Sequence, residues 1–379
     1  VGATYYFAVR GQDAAGNLGA ISAGAVTWCK PNQVEPISYL VVLDTAGIPI
    51  HNGEYYVIAP ARITNIGSGT SGVVTDGSGR SIQAMGNSGT MYGTPNPGHM
   101  GKVLNAMLGR VSHYNGQIQL DNVNRDETAL GTTFYLPAVI EKTAAQLPVP
   151  MTQTTQDVNL PEATEHALVA LRRVSLVNVA TNTWPYDTNG SNVVVQESSG
   201  AQVTVRFASG TNNSGTIAPD PNAQFDVIGT QGQFDTSAPY FGGYQIFPPS
   251  ATVAGKGIGI IERPRGLSVL PGNLAVTLTW TPVMDPNRNG FKIYSSTAFP
   301  NPTWTVRIDT PTAGLTAITV TSGLTPGTTF YFYVGMKQAL SNNWQIAPSA
   351  NGAFLESGPP LADSLTLPVA ANEVGWVGF

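Results

Sequence analysis

The chain has 379 residues, among them 42 Gly, 28 Pro and a single Cys, with 42% hydrophobic residues, 11% charged residues and a formal net charge of -5. That length corresponds to about three domains, and the apolar content suffices for real cores, which excludes wholesale disorder. No run approaches about 18 apolar residues, which excludes a membrane-spanning helix, and the acidic balance argues against a dedicated polyanion binder.

The sequence opens on residues 3–10, which read as the middle of a strand, with no initiator Met and no charged-then-apolar leader before them. The expectation is a segment of a longer polypeptide. Asp13-Ala14-Ala15-Gly16-Asn17 reads as a hairpin turn and 25–28 as a closing strand. Residues 1–30 therefore predict the end of a β domain whose earlier strands are missing. An isolated two-stranded hairpin is marginal in water, so something must complete it. Cys29 has no internal partner and reads as a small boundary residue. Helical periodicity is nearly absent, the best candidates being 101–108 and 137–146. Elsewhere, runs of four to eight Val, Ile, Thr, Tyr and Phe sit between Gly, Pro, Asn and Asp clusters, the pattern of an all-β chain.

Residues 35–147 and 148–262 contain an internal repeat. The first copy has a strand at 55–63, a hairpin at 72–85, and strands at 103–111 and 116–120. The second has a strand at 167–174, a hairpin at 192–207, and strands at 225–229 and 243–249. Each hairpin tip is acidic, Asp76-Gly77-Ser78-Gly79 and Glu197-Ser198-Ser199-Gly200. This strand order resembles the small OB-fold-like barrels of secreted bacterial multidomain proteins. Such barrels stand beside fibronectin type III modules and extracellular nuclease domains in that family setting.

Residues 263–356 begin at Arg263-Pro264 and carry an alternating strand that ends on Trp280. Further strands lie at 291–294, 304–308 and 318–320, and Leu324-Thr325-Pro326-Gly327-Thr328 precedes a long strand through Val334. Trp280 and the 324–333 stretch resemble a fibronectin type III domain, which implies a two-sheet sandwich with a tyrosine anchored at one corner. Residues 3–27 resemble the last two strands of another such domain. Residues 357–379 read as a tail or the first strands of a further β domain.

Asp285, Asn287 and Asn289 match the first half of a calcium loop, D-x-[DN]-x-[DN]-G. The position of the final Glu ligand is Ser296, and Arg288 sits among the ligands, so an ordinary sandwich loop is the better reading. His51, His99, His113 and His166 show no helical i, i+4 pair. They read as solvated loop histidines, with His99–His113 as the one metal alternative. No nucleophile elbow, phosphate loop or catalytic constellation is recognisable, so neither an enzyme activity nor a cofactor is expected.

The barrels also argue against nucleic acid: 35–127 has five Lys/Arg against seven Asp/Glu, and 150–263 has five against nine. Arg172, Arg173 and Arg206 are the candidates for a local basic patch. Tyr240, Phe241 and Tyr244 are candidates to stack on sugars or bases, or to pack on a neighbouring module.

These features predict a non-catalytic structural segment of a secreted or cell-surface protein, joined head to tail to copies of itself by β-strand complementation. Neighbouring extracellular β domains and glycans are the other expected partners. Tyr5, Phe7 and Val9 would offer the acceptor hairpin, and Leu365, Leu367, Val374, Trp376 and Phe379 the donor tail. The alternative is an accessory substrate-binding or spacer region of a secreted nuclease or polysaccharide hydrolase.

Overall fold

The computed structural model describes residues 10–15, 18–21, 34–58, 60–66, 71–86, 101–125, 139–147, 164–177, 191–207, 224–249, 259–281, 288–298, 303–339, 354–356 and 368–370. The chain is all-β, arranged as a hairpin, two closed barrels and a two-sheet sandwich. The hairpin pairs β1 (Arg10–Gln12) with β2 (Leu18–Ile21). Its turn is held by Ala15 N–H donating to Asp13 Oδ1 at 3.0 Å.

The first barrel starts with the single-turn helix α1 (Ile37–Leu40), pinned by Ile37 N–H to Asp76 Oδ2 at 2.6 Å. Its strands are β3 (Tyr55–Ile58), β4 (Ala61–Ile66), β5 (Ser71–Asp76), β6 (Ser81–Gly86), β7 (Val103–Leu104), β8 (Met107–Tyr114) and β9 (Gln117–Arg125). Pro60, which has no N–H to give a ladder, stands between β3 and β4 and divides one long strand into two. That break lets β3 pair with β8 while β4 pairs with β5, which closes the barrel. β6 and β9 are parallel.

The second barrel is preceded by β10 (Ile140–Lys142) and a 3-10 turn (Ala144–Gln146). It is built from β11 (Leu168–Leu176), β12 (Ser191–Gln196), β13 (Gln202–Phe207), β14 (Phe225–Gln233) and β15 (Tyr244–Phe247), with β16 (Ile260–Glu262) added beside β14. The order is β11-β12-β13-β15-β14, closing back onto β11, with β13 and β15 parallel. This is the five-stranded Greek-key order of an OB-like barrel, and the first barrel repeats it with split first and fourth strands. The two hairpin tips are also alike. Gly79 N–H donates to Asp76 O and Gly200 N–H to Glu197 O, at 3.1 and 2.9 Å, with both glycines at positive φ. That is a three-residue turn ending in a left-handed residue, a position that favours glycine.

Both helical expectations are corrected. Residues 101–108 form a turn and parts of β7 and β8, because Leu104 and Met107 are wholly buried in the barrel and the strand pairings outweigh local propensity. Within 137–146, Ile140–Lys142 is a strand lying parallel to β11, and only Ala144–Gln146 makes a helical turn, closed by a Thr143/Gln146 capping box.

The sandwich packs β17 (Arg265–Gly272), β18 (Ala275–Thr281) and β21 (Ala317–Val320) against β19 (Arg288–Ser296), β20 (Thr305–Thr310), β22 (Thr329–Ala339) and β23 (Phe354–Glu356). β24 (Pro368–Ala370) pairs with the start of β22. Val276, Leu278 and Trp280 face Phe330, Phe332, Val334 and Met336 across the core, and Trp280 meets Phe291 at 5.1 Å between ring centres. Each such side chain contributes about 1.5–3 kcal/mol by leaving water. Phe330 fills the corner after the 324–328 turn, and without a hydroxyl it cannot make the bond of an anchored tyrosine there.

Candidate functional site

OB-like barrels present ligands to the face of their second and third strands and to the loop between the fourth and fifth. In both barrels of this chain that last loop faces the other barrel. The loop of the second barrel, 234–243, is stiffened from within: Asp235 accepts from Ser237 N–H and Gly242 N–H, and Gln233 Nε2 donates to Tyr240 O at 2.8 Å. It then docks on the first barrel. Tyr240 N–H donates to Ala46 O at 3.0 Å, Asp235 N–H to Asn115 O at 2.7 Å, and the Tyr240 ring lies 4.5 Å from His113. The receiving loop is shaped by Asp44, whose Oδ1 accepts from Ala46 N–H and Ile48 N–H. Gly47, at φ +79°, leaves room there for the Tyr240 backbone.

The seam continues as buried polar contacts. Asn65 Nδ2 donates to Thr230 Oγ1 at 2.8 Å and to Phe247 O at 3.0 Å, and Gln117 Nε2 donates to Gln233 O at 2.6 Å. Glu165 and His166 grip both backbone groups of one residue of β9, Ile118. Ile118 N–H donates to Glu165 Oε1 at 3.3 Å, and His166 Nε2 donates to Ile118 O at 2.9 Å, since a carbonyl only accepts. Both side chains are at most 4% exposed. Their acid–imidazole pairing thus acts as an added rung of sheet. β14 is buried at all nine positions because one face lines its own barrel and the other carries this seam and, at Asp226, the junction with Arg172 and Arg263.

A second junction lies where the chain leaves the second barrel. Asp226 is wholly buried and accepts from Arg263 Nε at 2.7 Å, Arg172 Nη1 at 3.0 Å and Arg173 N–H at 3.0 Å. Arg172 also forks onto Glu141 at 2.7 and 2.9 Å. Burial works against the Arg172 charge, but Asp226 and Glu141 outweigh it and hold the guanidinium above its ordinary pKa. The β11 bulge at Arg172–Arg173, with Arg173 at φ +56°, aims these groups. Arg263 also covers the Tyr333 ring of the sandwich at 5.1 Å, and Tyr333 in turn meets Tyr294 and Trp304.

The predicted site residues fare unequally. Arg172 and Arg173 are bound internally, so they form no open basic patch, whereas Arg206 is at the surface and bonds Asn192. Tyr240, Phe241 and Tyr244 are drawn into the seam and the second barrel, Phe241 and Tyr244 being buried. The reading of solvated histidines is corrected for three of the four. His166 is buried, His51 stacks on Tyr39 at 4.2 Å, and His113 packs on Tyr240. His99 lies outside the described residues, as do Cys29, Asp285 and Asn287.

Asn289 lies in β19 beside Gly290, whose φ of +102° and close approach to Thr310 O account for the glycine of that motif. Tyr5, Phe7, Val9, Leu365, Leu367, Val374, Trp376 and Phe379 also lie outside the described residues. Among the described residues no group of three or more His, Cys, Asp or Glu is placed to hold a metal ion, and no helix is long and apolar enough to cross a membrane. Asp226, Glu141 and Arg263 gave no signal in the sequence, because isolated charges on strands look like solvated ones.

No family model and no curated protein matches the chain. Among solved structures, the FN1–FN3 domains of chicken CNTN1 align over 85% of this chain and 99% of that one, at 11% identity and a TM-score of 0.22. The fold assignment rests on the strand order, which that alignment does not alter.

Proposed function

We propose that this chain is a non-catalytic structural segment of a secreted or cell-surface protein, in which β modules are locked to one another and copies join head to tail. The observation that carries the reading is that both barrels use their fourth-to-fifth-strand loops to hold each other. One of the surfaces that an OB-like barrel gives to a ligand, the loop between its fourth and fifth strands, is here part of a joint, which suits a spacer of fixed geometry. The neutral polar composition, with only 11% charged residues, suits an extracellular setting.

Joining by strand complementation, with 365–379 as donor and the 3–27 hairpin as acceptor, belongs to the same proposal, as do the module boundaries read from the sequence. It is supported by the two-stranded sheet of β1 and β2, which is marginal without further strands; β24 of the tail pairs over three residues with β22 of its own chain, a contact that a donor tail would exchange for the hairpin of a neighbour. Electron microscopy of the full chain tests it. Filaments that disappear on deletion of 361–379, while the 264–355 sandwich stays folded, are the expected result. Monodisperse particles of the intact chain, or filaments that survive the deletion, would refute self-assembly through the tail.

One observation favours an accessory, substrate-holding role instead. Tyr114 and Phe234 remain 61% and 51% exposed beside the seam, next to the Asn115–Asp235 bond. Exposed rings of that kind stack on sugars. Oligosaccharide binding lost in both Tyr114→Ala and Phe234→Ala would put the accessory reading first.

A further inference from the structure

His113 occupies the barrel–barrel seam as a hydrogen-bond acceptor. Gly116 N–H donates to His113 Nε2 at 3.2 Å, and a ring nitrogen accepts only while it carries no proton. The bond closes the Asn115–Gly116 turn, in which Asn115 has φ 49° and Gly116 φ 90°. That turn is the part of the first barrel the second one holds: Asn115 O accepts from Asp235 N–H, and Gly116 packs against the Gln233 side chain. The imidazole also packs, tilted, against the ring of Tyr240, from the docking loop itself.

We propose that the barrel–barrel seam is an acid-sensitive latch, released when His113 takes a proton at Nε2. The protonated ring must let go of Gly116 N–H and places a charge against the Tyr240 loop, so the turn and the loop lose their fit together. The groups around it set the direction. Burial disfavours the charged ring and prevails over Glu165 and Asp44, which favour it, holding His113 below its ordinary value of 6.5. Asp235 is tied to Ser237 and Gly242, Tyr240 contributes its ring, and His166 donates to Ile118 O. A depressed imidazole contributes stability that is complete above the unfolded value and is lost as the pH falls below it.

The test uses the full chain with Cys29→Ser and spin labels on Ser78→Cys and Ser199→Cys, at the two exposed hairpin tips. Interlabel distances are measured at about pH 7.5 and about pH 5, on either side of a histidine titration. The expected result is one narrow distribution at the higher pH that broadens at the lower. His113→Gln, which still accepts from Gly116 but does not titrate, stays narrow at both, and His113→Phe, with no acceptor, is broad at both. If the Gln variant fails to fold by circular dichroism, His113→Asn replaces it. A wild-type distribution that stays narrow in acid overturns the latch. So does a non-titrating variant that broadens as the wild type does, or a Phe variant that stays narrow.

Discussion

Arg263 Nε lies 2.7 Å from Asp226 Oδ1, while the same guanidinium covers the Tyr333 ring at 5.1 Å. One side chain therefore ties the buried carboxylate of the second barrel to an aromatic cluster on the sandwich. The link works because Arg is planar: its edge donates to a carboxylate while its face stacks on a ring. Arg263 immediately follows β16, so the covalent junction and the noncovalent one coincide.

Asp226→Asn leaves Arg172 and Arg263 buried beside a neutral amide. The expected cost is about 3–5 kcal/mol, the range for breaking a buried ion pair on one side. Urea unfolding measures it, and pairing Asp226→Asn with Arg263→Met should return part of the loss. A cost below about 1 kcal/mol would show that the cluster is water-penetrated and contributes little.

At Gly290 an added Cβ would meet Thr310 O, on a backbone whose φ of +102° L side chains rarely adopt. Gly290→Ala should therefore destabilise the sandwich by about 2 kcal/mol or more. Calcium should leave the variant's melting temperature unmoved. Recovery of stability with calcium would return Asp285, Asn287 and Asn289 to the status of ligands.

Gly47→Ala tests the seam without touching its polar groups. The new methyl would approach Tyr240 O to 2.9 Å at a φ of +79°. Hydrogen exchange should rise at Asp235 and Tyr240, whose amides bond across the seam, with each barrel's own strands unchanged. The expected loosening is about 1–3 kcal/mol, as for overpacked contacts. Unchanged exchange at both amides would mean the seam does not depend on this loop.

Tyr56 gives the first barrel an alkaline limit. Burial first, then its hydrogen bond to Glu54 and the charge of that carboxylate, hold the phenol well above its ordinary value of 10.0. A group that keeps its proton longer when folded contributes stability that is complete below the unfolded value and is lost as the pH rises past it. The slope is at most about 1.4 kcal/mol per pH unit. Tyr56→Phe should flatten that part of the alkaline melting curve, and identical curves for the two proteins would contradict the assignment.

The strands were legible because their signal is local. Alternation along 275–281 buries Val276, Leu278 and Trp280 on one face, and acidic tips with a glycine in fourth place mark both barrel hairpins. The repeat itself emerged from those tips and the order of runs between them. The segment 101–108 misled because its apolar spacing suits a short helix as well as a strand, and only pairing with β3 and β4 settles the matter. The histidines misled for a similar reason. A His in or beside a turn looks solvated until the other barrel is laid over it, as happens at His113 near the end of β8 and at His166 before β11.

Sequence alone thus determined the all-β architecture, the doubled barrel order and the sandwich core, since periodicity and turn chemistry act over a few residues. Tertiary structure alone decided the seam and the Asp226 junction. Asn65 and Thr230 are 165 positions apart, and Asp226 and Arg172 are 54 apart, yet each pair bonds within 3.0 Å. Neither residue of such a pair carries a mark of the other. Whether a charge is solvated or buried depends on what the whole fold brings next to it.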